Sequence, residues 1–500
     1  MAERRVAHAR QSSSITGSQI IPQECIGQHS PKPLSATETG PVDPKDLETG
    51  GELLEPRLKT IWHRFLGRGR KPVGVMKSIK KIYGCSWLNV LLLLTPVAWW
   101  AHFDQRFADS HTVVFSLCLL TIIPHECLFD YCGEQMALYC GQDFGNLLTI
   151  TLNNAVEVTL AIMLLLKCEL KLLQSTITGV VLLHLLLVPG AAFLTGGAEI
   201  WEQDLHPIHT QLNHTLLTVG VLALLLPAAF YAAISGSTSN AIPANGDLPD
   251  LTSSTQIDFL RMSRGLAVLL LLIYICSRIF YHNPPGAGNN SLTHVLTPPE
   301  YKAREAKLER EEPEVNQWVC ICFLILDIAI VAVTSEWLVD SIEPVRNVSG
   351  ITSEWFGLVL LPFASFSADG AVAAGYFCHK TLRRVWSKTK DPGEPPNTMA
   401  KAEAIDLSIQ FILLWMPFLV LLGWWTGKPF NLLFDFFEVA LLLGACFLVN
   451  FVTADSKTNW AEGFILLSFY AMMVLCTWYY TGESDISSLL LCSGETETST

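Results

Sequence analysis

Long apolar stretches recur along the chain from Trp87 onward, and they constrain its fold more than any other feature. A helix needs about 20 residues to cross a hydrocarbon core roughly 30 Å thick, and the backbone groups of such a segment must be hydrogen-bonded within it. The stretches lie near residues 86–103, 112–132, 144–167, 172–195, 213–235, 258–281, 317–339, 355–378, 405–426, 431–453 and 459–481. They predict an all-α membrane protein of about eleven transmembrane helices.

The composition agrees with a lipid bilayer as the partner of this chain. Half of the 500 residues are hydrophobic and only 16% are charged, which is unusual for a globular domain. The formal net charge of −13 is scattered over the tail, loops and helices and indicates no particular partner. The fourteen cysteines lie mostly in apolar runs, where thiols behave as small hydrophobes, so neither a disulfide framework nor a zinc site is expected.

Several function classes lack their usual motifs. The sequence contains no phosphate loop of the Gly-x-x-x-x-Gly-Lys-Ser/Thr type, no dinucleotide fingerprint and no His-Glu-x-x-His. No basic patch with interleaved aromatic residues indicates nucleic acid. We therefore expect neither an enzyme, nor a resident cofactor, nor a nucleic-acid partner. Nothing in the sequence predicts the oligomeric state.

The segments between the spans predict the topology. Residues 1–80 have too few apolar residues for a core and are predicted to form a disordered tail. Lys and Arg cluster before the first span, in the linker 282–316 and between the eighth and ninth spans, which places these segments and the N-terminus in the cytoplasm. Eleven crossings then leave the polar tail 482–500 on the opposite, lumenal side.

A weak internal repeat divides the spans into two halves. Gly133–Ala137 can be aligned with Ser335–Val339, and Asn153–Glu157 with Ser365–Asp369. Each half then has five helices, and this odd number predicts inverted repeats, an arrangement in which transported ions bind near the shared midplane. Residues 86–281 would hold a leading helix and the first repeat, and residues 317–481 the second.

The first repeat carries the strongest candidate site. Glu157 lies deep in an apolar run, and Asn153 and Asn154 precede it by four and three residues, on the same helix face. A carboxylate with amide oxygens suits a hard cation such as Ca²⁺. Because a bare buried carboxylate is costly, protons and cations are expected to compete for it. The alternative interpretation is a polar cluster that holds helices together.

The second repeat supplies a weaker counterpart. Asp369 is the matching acid, with Ser365 one turn earlier, although an acid kept for packing is an equal alternative. Ser408 and Gln410 could add oxygen ligands, and Glu336 is a further candidate. His184 lies alone on an apolar helix, where a hydrogen-bonded packing residue is the usual finding. Other acids at membrane depth could relay protons: Glu134, Asp327, Asp435 and Glu438.

Ordered motifs over nearly every span resemble the fungal and plant vacuolar calcium/proton exchangers. They are Ser86–Leu92, Ile122–Pro124, Asn153–Glu157, Gln174, Gly179, Gly196–Gly197, Ser263–Gly265, Ser335–Glu343, Pro417–Trp424, Phe434–Asp435 with Glu438, and Asn459–Trp460 with Glu462–Gly463. The resemblance implies one leading helix, two inverted five-helix repeats, and a cation site between the two acidic helices.

The sequence also departs from the family's signatures. The first reads Gly-Asn-Ala-Val-Glu in the family, and Asn153 replaces its glycine; downstream, Val180 and His184 stand where the family usually has serine and asparagine. The second reads Gly-Asn-Ala-Ala-Glu-His, and here Phe366 and Gly370 replace its asparagine and histidine. Since neither replacement can donate or accept through its side chain, the second half of the site is depleted of ligands.

These observations support one main hypothesis and one alternative. The main hypothesis is a secondary antiporter in a vacuole-type membrane that exchanges a divalent cation, with Ca²⁺ the expected one, for protons at Glu157 and Asp369. The alternative, suggested by Phe366 and Gly370, is a non-transporting or altered-specificity paralogue that acts as a regulatory or scaffold protein. An intramembrane hydrolase has only the acids in its favour.

Overall fold

The computed structural model describes residues 65, 73–104, 110–140, 142–197, 201–205, 207–238, 251–282, 311–364, 366, 403–483, 486, 489, 490 and 492. Most of them are helical. The α-helices are α1 Val75–Tyr83, α2 Leu94–Phe103, α3 His111–Cys140, α4 Gln142–Asn153, α5 Ala155–Leu166, α6 Leu170–Leu182, α7 Val188–Gly196, α8 Pro207–Thr238, α9 Leu251–His282, α10 Gln317–Ser349, α11 Ser353–Trp355, α12 Glu403–Gln410, α13 Met416–Thr426, α14 Phe436–Val452 and α15 Trp460–Trp478. A 3₁₀ helix, Trp87–Leu93, precedes α2, and the strands β1 Gln203–Asp204 and β2 Lys457–Thr458 pair antiparallel.

The predicted all-α membrane architecture is confirmed. Within the described residues, seven helices are long and apolar enough to span a membrane, and nine if each of two bent pairs counts as one span. Two shorter apolar helices, Ser353–Ala364 and Phe436–Val452, fall where further spans were predicted. The number eleven therefore stays a prediction. The helices α3 and α10 continue well beyond the predicted ends at 132 and 339.

The helix α1 begins inside the segment that was predicted to be a tail. Its residues Ser78 and Ile82 are fully buried, while Lys80 and Lys81 occupy its last turn. Its axis makes an angle of 95° with the first span, so this short amphipathic helix packs one face against the bundle without adding a crossing. The rest of the predicted tail and residues 283–310 of the predicted linker lie outside the described residues, apart from Phe65.

Three spans contain a π-helical segment, and each segment ends two residues before a proline. The segments are Leu183–Leu187, Phe356–Leu360 and Phe411–Trp415, and the prolines are Pro189, Pro362 and Pro417. A proline lacks the N–H that an α-helix needs and its ring clashes with the carbonyl four residues earlier. A wider turn accommodates that clash. The first and third segments lie in the fourth and ninth spans, which occupy matching places in the predicted repeats.

The fourth and eighth spans cross at a pair of glycines. A Cβ atom on Gly179 would lie 2.5 Å from the carbonyl oxygen of Leu358, and one on Gly357 would lie 2.6 Å from Cβ of Ser175. Neither spacing is tolerable for a real side chain. The two backbones therefore approach this closely only because both residues are glycine.

A side chain at this crossing is expected to destabilise the protein strongly. Gly179→Leu must push the two helices apart, and overpacking of a buried contact costs about 1–3 kcal/mol or more. The expected result is a lower yield of monodisperse protein and a lower melting temperature in detergent. The matched control is Gly265→Leu, since a Cβ atom at Gly265 meets nothing within 4 Å. Equal stability of the two variants would contradict the close crossing.

The two ends of the helical bundle can be told apart by their contacts. At one end, which we call the bridge end, β1 pairs with β2, Lys81 forms an ion pair with Glu314 at 2.8 Å, and the Tyr139 hydroxyl donates to the carbonyl of Val315 at 2.8 Å. Lys81 holds the pKa of the Glu314 carboxyl below its usual range. The predicted topology makes this end cytoplasmic.

The opposite end, which we call the disulfide end, is closed by a cross-link that was not expected. Cys168, in the turn between α5 and α6, is bonded to Cys492. Near it, Ile486, Leu489 and Leu490 of the C-terminal segment are buried. The expectation of no disulfide is wrong because it was drawn from cysteines inside apolar runs, whereas both of these cysteines lie outside the spans. The described free cysteines include those in the spans.

The disulfide can be tested by cutting the chain between its two halves. With a protease site inserted in residues 283–310, the two fragments are expected to migrate together on a denaturing gel until reductant is added. Cys168→Ser should separate the fragments without reductant, whereas Cys276→Ser, which removes an exposed free thiol, should leave them joined. Fragments of the parent protein that separate without reductant would show that the bond does not form.

Candidate functional site

The third span is broken in its middle at Asn154. The helices α4 and α5 flank this residue with a bend of 50°, and Asn154 itself has φ −96° and ψ 6°. Asparagine side chains compete with backbone hydrogen bonds and disfavour the helix interior, so the pair Asn153 and Asn154 is a natural place for the break. At this break the side-chain oxygens of Asn153 and Asn154 accept no hydrogen bond from the described residues.

Asn154 is fully buried and ties the third span to the ninth. Its Nδ2 donates to Oε1 of Gln410 at 2.8 Å. Gln410 in turn donates from Nε2 to Thr151 Oγ1 at 2.9 Å and to the Tyr274 hydroxyl at 3.0 Å. This network joins the third, sixth and ninth spans. Both the oxygen and the nitrogen of the Gln410 amide are therefore hydrogen-bonded. Oδ1 of Asn154, by contrast, accepts no hydrogen bond among the described residues.

A polar pocket lies beside the break and is lined by five of the spans. We call it the polar pocket; its lining residues are Glu126, Cys127, Asp130, Asn153, Glu157, His184, Val188, Phe366 and Leu407. Three of these are carboxylates and one is an imidazole. The Glu157 side chain is 3% exposed and stands in the first turn of α5, where the helix dipole favours a negative charge.

Asp130 and Asn153 line the polar pocket from two successive spans. Oδ1 of Asn153 accepts no hydrogen bond from the part of the chain that the structure describes. Glu126 lies four residues before Asp130 on α3, so the two carboxylates share a helix face. The pocket is thus walled by carboxylate and amide oxygens from two helices.

Glu157 also borders a second pocket of opposite character. This apolar pocket is lined by Leu119, Ile122, Val156, Glu157, Leu160, Thr176, Val180, Leu338, Leu361 and Ala364. Apart from Glu157, its one polar lining side chain is Thr176, whose hydroxyl donates to the carbonyl of Leu172 within its own helix at 2.7 Å. Glu157 is therefore the residue at which a polar and an apolar environment meet.

The order of residues along the helices fixes the relative depth of the two pockets. On α3, Ile122 of the apolar pocket precedes Asp130 of the polar pocket. The next span runs in the opposite direction, and there Asn153 of the polar pocket precedes Leu160 of the apolar pocket. The polar pocket therefore lies toward the bridge end and the apolar pocket toward the disulfide end, with Glu157 between them.

The other predicted ligands fall in different places. Ser365 and Asp369 lie outside the described residues. Their neighbour Phe366 is buried and lines the polar pocket, so the second repeat does reach the site. The Ser408 hydroxyl donates to the carbonyl of Val181 at 3.3 Å. Glu336 lines neither pocket, and its half-exposed carboxylate pairs with Lys167 at 3.1 Å.

The remaining acids are mostly paired away from the polar pocket. Asp327 lies 2.7 Å from Nδ1 of His125, and Asp435 and Glu438 surround Lys171 near the disulfide end. Among the predicted relay candidates, these three belong to buried charged clusters and Glu134 is exposed.

The sequence analysis did not single out Glu126 and Asp130, which line the polar pocket in the structure. A signal was present, because two carboxylates four residues apart inside a predicted span must share one helix face. The sequence analysis also favoured a packing role for His184. In the structure its imidazole lines the polar pocket, and its Nδ1 has no hydrogen-bond partner among the described residues. No three of the described His, Cys, Asp and Glu side chains are close enough to hold one metal ion between them in this conformation.

Comparison with known proteins gives consistent matches. Residues 110–281 and 319–479 match the sodium/calcium exchanger protein family. The chain is 31% identical to a vacuolar calcium ion transporter of Cryptococcus neoformans, over 83% of this chain and 77% of that protein. It is 29% identical to a Ca²⁺/H⁺ antiporter of Synechocystis, over 78% and 96% respectively. The structure of native YfkE has a similar fold, with a TM-score of 0.55, 20% identity, and coverage of 79% of this chain and all of that one.

Proposed function

Because the chain belongs to the sodium/calcium exchanger family, we propose that it is a secondary antiporter that exchanges Ca²⁺ for protons across the vacuolar membrane. The relatives described above are named as a vacuolar calcium ion transporter and a Ca²⁺/H⁺ antiporter. Nothing in the comparisons favours the non-transporting alternative. The proposal makes the protein a transporter and not an enzyme.

The position of Glu157 carries this proposal. An exchanger needs one site that is reached from one side of the membrane at a time, and Glu157 borders a polar pocket toward the bridge end and an apolar pocket toward the disulfide end. In this conformation the carboxylates and the amide that line the polar pocket can replace the water ligands of an ion. The apolar side chains on the other side oppose the passage of an ion, since they can replace none of its water ligands.

Competition at the carboxylate couples the two fluxes. The ionised form of Glu157 is stabilised by a bound cation, and the protonated form can stay buried without one, because burial penalises a bare charge. Asn153 and Asn154 each have a side-chain oxygen that accepts no hydrogen bond from the described residues, and these oxygens suit Ca²⁺. Ser365 and Asp369 complete the proposed ligand set from the second repeat. The cation and the proton then occupy Glu157 in turn.

The direction of exchange depends on the orientation of the chain. We place the N-terminus and the bridge end in the cytoplasm, because Lys and Arg concentrate in the segments predicted there. The polar pocket would then receive Ca²⁺ from the cytoplasm and release it to an acidic lumen, where protons displace it. A glycan on Asn347, which is exposed at the disulfide end, would support this orientation.

The test is transport by the purified protein in lipid vesicles with an acidic interior. We expect uptake of ⁴⁵Ca²⁺ that requires the pH gradient and ceases when a proton ionophore collapses it. Empty vesicles control for leakage. If no gradient-driven flux of Ca²⁺, Mn²⁺, Na⁺ or K⁺ exceeds that of empty vesicles, the antiporter proposal is wrong and a non-transporting role becomes the better interpretation.

A further inference from the structure

The two halves of the chain meet at a buried polar pair between α3 and α10. Nδ1 of His125 lies 2.7 Å from Oδ1 of Asp327, and each residue is 2% exposed. The other polar atoms of the pair, Nε2 of His125 and Oδ2 of Asp327, have no hydrogen-bond partner among the described residues. Within that part of the chain, all side-chain hydrogen bonding of the pair therefore joins one half to the other.

The two residues occupy equivalent positions in the predicted repeats. The alignment of Gly133–Ala137 with Ser335–Val339 matches positions that lie 202 residues apart, and His125 and Asp327 have this same separation. A residue that contacts its own equivalent lies on the pseudo-twofold axis that relates the two repeats. In inverted repeats this axis lies in the plane of the membrane, so the alignment places the pair at the midplane.

The packing of α3 against α10 is centred on the same pair. Cys320 donates from Sγ to the carbonyl of Cys132 at 3.5 Å, and these cysteines lie seven positions before the acid and seven positions after the imidazole. The two helices therefore run antiparallel, with the pair at the centre of their contact. The repeat equivalents of the two cysteines are Cys118 and Thr334, and both are fully buried, as a twofold crossing requires.

A polar pair is an expensive contact at this depth. Desolvation makes a buried pair no better for stability than apolar side chains of similar volume, and its best-attested role is to fix the register of the elements that it joins. On α3, His125 lies between Ile122 of the apolar pocket and Glu126 of the polar pocket. The register of α3 against α10 is thus fixed at the depth where Glu157 borders both pockets.

We propose that His125 and Asp327 are a positioning pair that holds α3 and α10 in one register in both access states of the antiporter, the state reached from the bridge end and the state reached from the disulfide end. This inference rests on the proposed function, since alternating access moves one repeat against the other around a fixed site. When two inverted repeats swap conformations, each contact off the axis takes the geometry of its counterpart. A contact on the axis is its own counterpart, so the pair stays formed while access to Glu157 changes sides.

The experiment compares binding and transport by variants of the purified full-length chain. His125→Leu and Asp327→Leu each leave one buried polar group unpaired, so each should lower the melting temperature in detergent. The double variant that carries both changes buries neither group and should regain that stability. Its equilibrium binding of ⁴⁵Ca²⁺ should match that of the parent. Its maximal rate of gradient-driven uptake into vesicles should fall by about tenfold or more, because a small misplacement far from a site can have an effect of that size.

The swapped variant, His125→Asp with Asp327→His, tests the axis itself. Each side chain then stands at the position of its repeat equivalent, so the hydrogen bond forms again and the maximal rate should recover toward that of the parent. The matched control is Ser341→Ala, which removes another buried polar group from α10, one whose hydroxyl donates within its own helix at 2.8 Å. It should bind and transport Ca²⁺ like the parent.

Two results would overturn the inference and leave the proposed function standing, provided that the parent exchanges Ca²⁺ for protons. A folded double variant that transports at the parent rate would show that the pair positions nothing. A swapped variant that transports no faster than the double variant, whether or not it folds, would show that the two positions are not equivalent. If the double variant does not fold, recovery by the swapped variant decides alone. A parent without gradient-driven Ca²⁺ uptake would overturn the proposed function and this inference with it.

Discussion

Replacing Glu157 by Gln is expected to abolish cation/proton exchange while the protein still folds. The change keeps the size and polarity of the side chain but removes the one group that both pockets share. The Gln side chain does not bind or release a proton at physiological pH, so no proton can replace a cation that is bound at the site. Gradient-driven ⁴⁵Ca²⁺ uptake into vesicles should fall to the level of empty vesicles.

Folding should survive because the carboxylate is already almost completely buried, at 3% exposure. A neutral amide costs less to keep in such a place than an ionised acid, so the melting temperature in detergent should change little. Glu343→Gln provides the matched control and should transport like the parent. A folded Glu157→Gln variant that exchanges at the parent rate would show that Glu157 is structural.

Much of the fold could be predicted because long apolar runs have few alternatives in lipid. The fourth span was predicted at 172–195, and the structure has a continuous apolar helix at Leu170–Gly196. The short helix Val75–Tyr83 was missed because it has too few apolar residues to register as a span. It is held by local burial of Ile82 and by contacts such as that of Ser78 with Asn316.

The site was predicted only where one helix carried the whole pattern. Asn153, Asn154 and Glu157 lie within five consecutive residues, so helix geometry alone could group them. Asp130 joins them through a contact between α3 and the third span, which requires knowledge of tertiary packing. Likewise, Gln410 was a candidate ligand, and only the structure shows that its amide is engaged by Asn154, Thr151 and Tyr274.

The charged cluster near the disulfide end is expected to be the most sensitive point for stability. Lys171 Nζ lies 2.6 Å from Asp435 and 3.8 Å from Glu438, and both carboxylates are fully buried. Ser175 donates to Glu438 at 2.6 Å, and the Tyr480 hydroxyl donates to Asp435 at 3.1 Å. These contacts tie the fourth span to the start of α14 and to the segment after α15.

Lys171→Met should destabilise the protein by about 3–5 kcal/mol, because it removes the cation and leaves two buried carboxylates without it. The measurement is thermal unfolding of the purified protein in detergent, together with the yield of monodisperse protein. Adding Asp435→Asn and Glu438→Gln to Lys171→Met should restore much of the lost stability, since the two carboxylates that pair with Lys171 are then neutral. If the single variant is as stable as the parent, or if the two neutralising changes fail to rescue it, the ion pairs do not hold these helices together.

Transport by the rescued variant then separates the two roles that the cluster could have. If the cluster is purely structural, gradient-driven Ca²⁺ uptake should return to near the parent rate once the fold is restored. If the cluster lies on the proton route, the rescued protein should fold but not exchange Ca²⁺ for protons.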